Sequence, residues 1–372
     1  MTDTGSSTPL PDDEQPEEHS QDLLFQYSDD LEDRTAEKRL KALQNCATTI
    51  ALHYLSEGVE SFRATLLSAV ENSLKRGGAP EKVSAFSLLR LVVVTLGTSS
   101  QGIFPAFRPA CLRLLGDRDE DVEVRAAAAH TLALLSFICE ESEETSHDDA
   151  AVLQTLFEEP EALSAAAVNG LALMLTVMSA TTIIERYLED VLLALFELLT
   201  RSPPATSVAA GEAIAYLYEV ARGADDYDLE DLPVDSNEVV AVLNEMAVER
   251  TRRKAKSDQK DQRKNFRNIL ASVEKNTPPS VELIVNKQQV SFGSWEEVIQ
   301  LNALKLTLRS GFQIHFQHND LLHQIFDVRI QKETSKYKLS KLEKRQFCSK
   351  NSAASKDRMA RRDASRSKKI VK

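Results

Sequence analysis

The stretch that most constrains the fold is Asp117–Phe137, DRDEDVEVRAAAAHTLALLSF, an acidic turn followed by a helix rich in alanine. Small side chains from Ala126 to Ala129 let a neighbouring helix approach closely, and Leu132, Leu134 and Leu135 fill the space between stacked units. This is the pattern of the second helix of a HEAT repeat, and such a unit cannot bury its apolar face alone. A weaker echo occurs at Ala209–Val220, AAGEAIAYLYEV. Glu81–Leu96 and Leu163–Met178 are compatible with it, the latter interrupted by Gly170.

The remainder of residues 31–248 reads as amphipathic helices of about 12 to 22 residues separated by short turns, at the roughly 40-residue period of HEAT or armadillo arrays. Predicted segments run Asp33–Leu55, Val59–Leu74, Lys82–Leu96 and Phe104–Leu115, with Gly77, Gly78, Pro80, Gly102 and Gly116 between them. Two acidic stretches, Glu140–Asp149 and Ala224–Asp235, read as inter-helix loops, the second closing the array. The predicted class is mainly α: a HEAT/armadillo-like solenoid whose concave side is an extended binding surface, with a small C-terminal module and disordered termini.

Composition agrees. Only 6% of the 372 residues are aromatic and 12 are glycine, which favours helices over strands. Cys46, Cys111, Cys139 and Cys348 form no C-x-x-C pair, so neither a disulfide framework nor a zinc ribbon is indicated, and a reducing cytoplasmic or nuclear setting is expected. No apolar leader opens the sequence, and no window of about 18 uninterrupted apolar residues is present, so no membrane partner is expected.

Charge is unevenly distributed. Residues 331–372 hold 15 Lys/Arg against 4 Asp/Glu, a surplus of +11, which leaves −23 on residues 1–330 of a chain whose net charge is −12. A tail of this sign suits a polyanion such as RNA. Residues 1–30 are acidic and poor in large apolar side chains, and read as a disordered leader.

Beyond residue 248 the pattern changes. Residues 249–275 read as a basic helix, and residues 278–330 as a C-terminal module. Pro278 and Pro279 stop the helix, and Val281–Phe292 alternates about Asn286-Lys287 as a hairpin. Ser294 and Glu297 form an S-x-x-E capping box that starts a helix with Trp295, Val298, Leu301, Leu304 and Leu308 on one face. Gly311 suits the left-handed position ending that helix. Phe312, Ile314 and Phe316 then alternate as an extended return, and Asn319 caps a short helix carrying Leu321, Leu322, Ile325 and Phe326.

The segments KSDQKDQRKNFRNIL (Lys256–Leu270) and SFGSWEEVIQLNALKLTLRSGFQIHFQHNDLLHQIFD (Ser291–Asp327), with LEDRTAEKRLKAL near the start of the array, resemble the interferon-related developmental regulator family. The resemblance covers most of residues 31–327; the acidic leader and the tail carry no motif that aligns. It implies a non-enzymatic regulator of gene expression, described for the family as transcriptional co-regulation and as association with translationally inactive ribosomes.

No phosphate loop, nucleophile elbow, zinc-protease pattern or dinucleotide fingerprint is present, so no enzyme, cofactor or small-molecule substrate is expected. His315, His318 and His323 lie near Asp320 but lack a further ligand, and read as capping or surface groups rather than a metal site. Trp295, the first apolar residue of a capped helix, reads as core rather than a base-stacking platform. The expected RNA contacts are basic: Arg252, Arg253, Lys254, Lys260, Arg263 and Lys264 before the module, then Lys332, Lys336, Lys338, Lys341, Lys344, Arg345, Lys350, Lys356, Arg358, Arg361, Arg362, Arg366, Lys368 and Lys369 in the tail. Interspersed Leu339, Leu342 and Phe347 would let the first half of the tail form a helix on ribosomal RNA, while the solenoid holds protein partners. Arg361-Arg362 and Lys368-Lys369 also resemble import signals, which fits a nuclear co-regulator.

Overall fold

Hydrogen bonds between neighbouring helix pairs recur at a nearly constant sequence separation. Arg39 Nε and Glu81 meet at 2.9 Å, 42 residues apart; Arg108 and Asp149 are separated by 41 residues, Arg125 and Glu159 by 34, and the Tyr216 hydroxyl and the Leu175 carbonyl by 41. These links carry the repeat period expected from sequence into three dimensions. A computed structural model describes residues 16–139, 142–224, 227–248, 256–285 and 288–328.

Helix α1 (Pro16–Asp29) packs on α2 (Ala36–Leu52) and α3 (Ser56–Arg76). Next come α4 (Ala79–Leu96), α5 (Ile103–Gly116), α6 (Val122–Cys139), α7 (Glu143–Gln154), α8 (Glu161–Leu175), α9 (Ala180–Arg186), α10 (Leu188–Arg201), α11 (Pro204–Gly223), α12 (Ser236–Val248) and α13 (Lys256–Lys275). One layer is formed by α2, α4, α6, α8, α11 and α13, each packed on the next; α3, α5, α7, α10 and α12 back this inner layer from the other side. Strands β1 (Val281–Val285) and β2 (Gln288–Phe292) pair antiparallel with Val281 opposite Phe292, as the alternation predicts. Helices α14 (Trp295–Leu308), α15 (Phe312–His318) and α16 (Asp320–Ile325) follow.

The two layers differ in sequence because they differ in surroundings. Outer α10 has one apolar stripe, burying Leu188, Val191, Leu192, Leu195 and Leu199 at helical spacing. Inner α4 is buried continuously from Leu88 to Leu96, and α6 buries Val124–Ala129 and Thr131–Ser136. Two stretches, Ala79–Ser100 and Val122–Cys139, are long and apolar enough to cross a membrane, yet 72% and 67% of them lie inside the array. Gly170, which interrupts the alanine pattern in sequence, is where α8 meets α6: a Cβ there would stand 3.1 Å from the Ala133 Cβ.

Two expectations fail. The leader is not disordered throughout, because from Pro16 on it is helical and Leu24 is fully buried in the first contacts of the array. The acidic stretch Glu140–Asp149 is mostly helix rather than loop. Ser142 caps α7, Glu143 and Glu144 lie in its first turn, where negative charge favours helix, and Asp149 is buried against Arg108, whose Nη2 approaches to 2.7 Å. Replacing Arg108 by Ala leaves the buried carboxylate without this guanidinium; it is expected to lower stability by about 2–4 kcal/mol in urea denaturation.

Candidate functional site

The C-terminal segment forms the expected small module of a hairpin and helices, and it packs against the array. It lies on the inner layer, with α14 against α11, α8 and α4, and α15 against α2. The face expected to be an open binding surface is therefore covered by the chain itself, and buried side chains from Leu24 to Phe326 join one core.

The docking begins at the capping box. Ser294 Oγ accepts the Glu297 N–H at 3.1 Å, while Glu297 Oε2 accepts the Gly293 N–H at 2.7 Å, one residue before the cap. The free N–H of Trp295 is taken by the array: both oxygens of Glu219 on α11 lie within hydrogen-bond distance, at 2.9 and 3.1 Å. Burial pushes the Glu219 carboxyl up, and the N–H groups of Trp295 and Glu296 oppose that shift. Trp295 is 3% exposed, so its ring is core and no stacking platform; Leu301, Leu304 and Leu308 are fully buried. Along α14, Gln300 donates to the Thr176 hydroxyl at 3.1 Å and Asn302 to Glu212 at 3.1 Å.

Past α14 the structure corrects the sequence reading. Arg309, not Gly311, takes the positive φ, at 49°, and Gly311 is right-handed at φ −84°. Phe312–His318 is a helix, not an extended return, burying Phe312, His315 and Phe316. Gly311 is required for another reason: a Cβ there would lie 1.6 Å from the Ala51 carbonyl oxygen.

The remaining polar contacts satisfy carbonyls in the last turns of inner helices, which have no partner within their own helix. His315 Nε2 lies 2.8 Å from the Ile50 carbonyl of α2, and Asn319 Nδ2 donates to the Val94 carbonyl of α4 at 2.8 Å. Asn319 Oδ1 meanwhile accepts the Leu321 N–H at 2.9 Å, which is the expected cap. His323 Nε2 lies 2.8 Å from the Phe316 carbonyl, so His315 and His323 engage separate backbone groups. Phe292 at the base of the hairpin meets Phe316 and Phe326 edge-on, with centroids 6.2 and 5.1 Å away.

Of the expected RNA contacts, Arg263 and Lys264 are described on α13, where Phe266, Ile269 and Val273 face the core, Lys264 is exposed and Arg263 is half-buried. Lys260 belongs to the same helix, but its side chain is outside the described residues. Arg252, Arg253, Lys254 and every tail residue named above also lie outside them. Sequence reasoning missed Glu219, Glu212, Gln300 and Asn302. The available signal was Gln300, a polar residue flanked by Ile299 and Leu301 in an apolar stripe.

Between the inner layer and α14 lies a cavity of about 240 Å³ whose polar lining is Arg90, His130, Asn169, Glu212, Asn302 and Thr307. Burial pushes Arg90 down to about 10 and His130 to about 3, and pushes Glu212 up to about 7. Burial also lifts the Cys46 and Cys111 thiols to about 12, which keeps both as neutral thiols rather than nucleophiles. Among the described residues no three His, Cys, Asp or Glu side chains cluster as a metal site.

Comparison with known proteins gives two family matches: "Interferon-related developmental regulator" over residues 1–274 and "Interferon-related protein conserved region" over residues 319–370. The second spans most of the tail, for which no alignable motif was expected. Interferon-related developmental regulator 1 of Sus scrofa is 26% identical over 360 residues, covering 91% of this chain and 78% of its own length. Interferon-related developmental regulator 2 of Mus musculus is 28% identical over 335 residues, covering 85% and 75%. A solved engineered protein aligns at 15% identity with a TM-score of 0.42, over 67% of this chain and 97% of its own, a likeness too low to define the fold.

The geometry generates two predictions. Gly311→Ala forces the backbone of the segment away from α2 and is expected to destabilise the protein by at least about 2 kcal/mol, read by thermal and urea unfolding. The second concerns pH. His315 has its value lowered by burial from 6.5 to about 4, so between these values the unfolded chain binds the extra proton and stability falls as pH is lowered from 6.5 to 4. Glu212, raised from 4.5 to about 7, acts in the opposite sense, its contribution falling as pH rises through that window. In melting temperatures measured from pH 4 to 8, His315→Gln should flatten the acid-side loss and Glu212→Gln should remove part of the loss toward neutral pH.

Proposed function

The chain belongs to the interferon-related developmental regulator family, and we propose that it is a non-enzymatic regulator of gene expression that binds ribosomal RNA, on translationally inactive ribosomes, through its basic C-terminal elements. The observation that carries this reading is the +11 surplus of residues 331–372, most of which fall in the second family match. Lysine and arginine in such numbers neutralise phosphates and release counterions, giving strong, salt-sensitive affinity with little base selectivity. The exposed Lys264 on α13 adds charge of the same sign ahead of the docked segment. Because α14 and α15 occupy the inner layer, protein partners are assigned to the outer helices and the edges of the array.

A second reading, nuclear co-regulation bridging transcription factors and chromatin-modifying complexes, is favoured by the pairs Arg361-Arg362 and Lys368-Lys369, which suit an import receptor. Exclusive nuclear location with absence from ribosomal fractions would select it.

The direct test is cosedimentation with ribosomes, comparing the full chain with one ending at Val328. Expected is loss of about tenfold or more in affinity on removing the tail, and a steep fall for the full chain between about 50 and 200 mM salt. Equal binding by the two chains would remove the tail from the mechanism.

A further inference from the structure

Arg90 is a buried guanidinium, 8% exposed, that makes no ion pair among the described residues. Its Nη1 donates to the Ala127 carbonyl at 3.1 Å and the Thr131 hydroxyl at 2.8 Å, which ties α4 to α6, while its Nε has no partner. A cation in a low-dielectric interior is costly without an anion, and removing an anion from such a pair is more costly than never burying one. The surroundings aggravate this. Arg309 acts on Arg90 as a like charge, and Arg90 acts likewise on His130. Arg309 itself holds a backbone conformation, φ 49° and ψ −124°, that non-glycine residues rarely adopt and that persists only where the surroundings enforce it. Arg90 and His130 both line the cavity under α14; Glu212, the carboxylate lining it, is bonded to Asn302 rather than to Arg90.

We propose that this cavity is a binding site for a small molecule bearing an oxyanion, carboxylate or phosphate, seated on Arg90 with His130 and Asn169 beside it. An oxyanion supplies the counter-charge that the described residues do not, and a guanidinium offers the planar donor fork such groups accept. Leu173, Ile299 and Leu306 give the cavity apolar wall for the body of the molecule, and Glu212 accepts a donor carried elsewhere on it. Since α14 forms one wall, an occupant bridges the array and the docked segment and holds the two together.

The test is isothermal titration calorimetry of the full chain with inorganic phosphate and, separately, with acetate, at constant ionic strength made up with chloride. Expected is saturable one-to-one binding of at least one anion with Kd at or below about 1 mM; which anion binds distinguishes a phosphoryl from a carboxylate ligand. Arg90→Met should abolish it. Arg309→Gln, at an exposed position that leaves the core intact, should weaken it by about threefold or more through loss of the second positive charge. Absence of saturation by either anion up to about 10 mM, or binding unchanged in Arg90→Met and Arg309→Gln as contact with the basic tail would give, overturns the proposal.

Discussion

Everything in this fold depends on the cover that the C-terminal segment gives the inner layer. Helices α4, α6 and α8 are apolar on nearly all sides, so the outer layer and their two neighbours cannot bury them completely. Helix α14 supplies the missing surface with Trp295, Val298, Leu301, Leu304 and Leu308, each contributing about 1.5–3 kcal/mol of gross burial. The same segment serves as a donor to the ends of the helices it crosses. His315 and Asn319 reach carbonyls of α2 and α4, and Glu219 of α11 returns the service by accepting the first N–H of α14. These polar contacts add little net energy when made, but leaving any of the buried groups unmade costs about 1–3 kcal/mol, which fixes register.

A consequence is that distant parts of the chain are energetically one unit. Gly311 sits on Ala51, Gln300 on Thr176 and Asn319 on Val94, at sequence separations that reach 265 residues between Ile50 and His315. A helical-repeat array is ordinarily held by nearest-neighbour contacts, and here a strap of three helices overrides that locality. The basic tail follows the strap in sequence, and the strap itself is positioned by the inner layer. Acidic residues through the array and a basic surplus in the sequence beyond it suit the proposed contact with a polyanion.

Much of the molecule was legible in its residues. The period near 40, the small-residue face of α6, the hairpin about residues 286–287, the Ser294 box and the Asn319 cap all rest on interactions within a few residues, or on a repeat that announces itself by recurrence. The errors share a cause. Phe312–Phe316 alternates in a way that suits a strand, and is helical because only that winding places Phe312, His315 and Phe316 together against α2 and the hairpin. Gly311 was rightly singled out and wrongly explained, its missing side chain serving a backbone 260 residues away. Glu140–Asp149 read as a loop because its acidic run gives no local sign of burial, and Arg108, the partner of Asp149, lies 41 residues away in another repeat.

The sequence by itself determined most helices of the array and their repetition, the Ser294 and Asn319 caps and the separation of negative and positive charge along the chain, because propensity, periodicity and charge are properties of neighbouring residues. Tertiary structure alone decided that the inner face is occupied, that Glu219 and Glu212 meet α14, and that Arg90 and His130 share a cavity. Those outcomes arise from which surfaces fit once the array has formed, and contacts between residues hundreds of positions apart leave no local pattern to read.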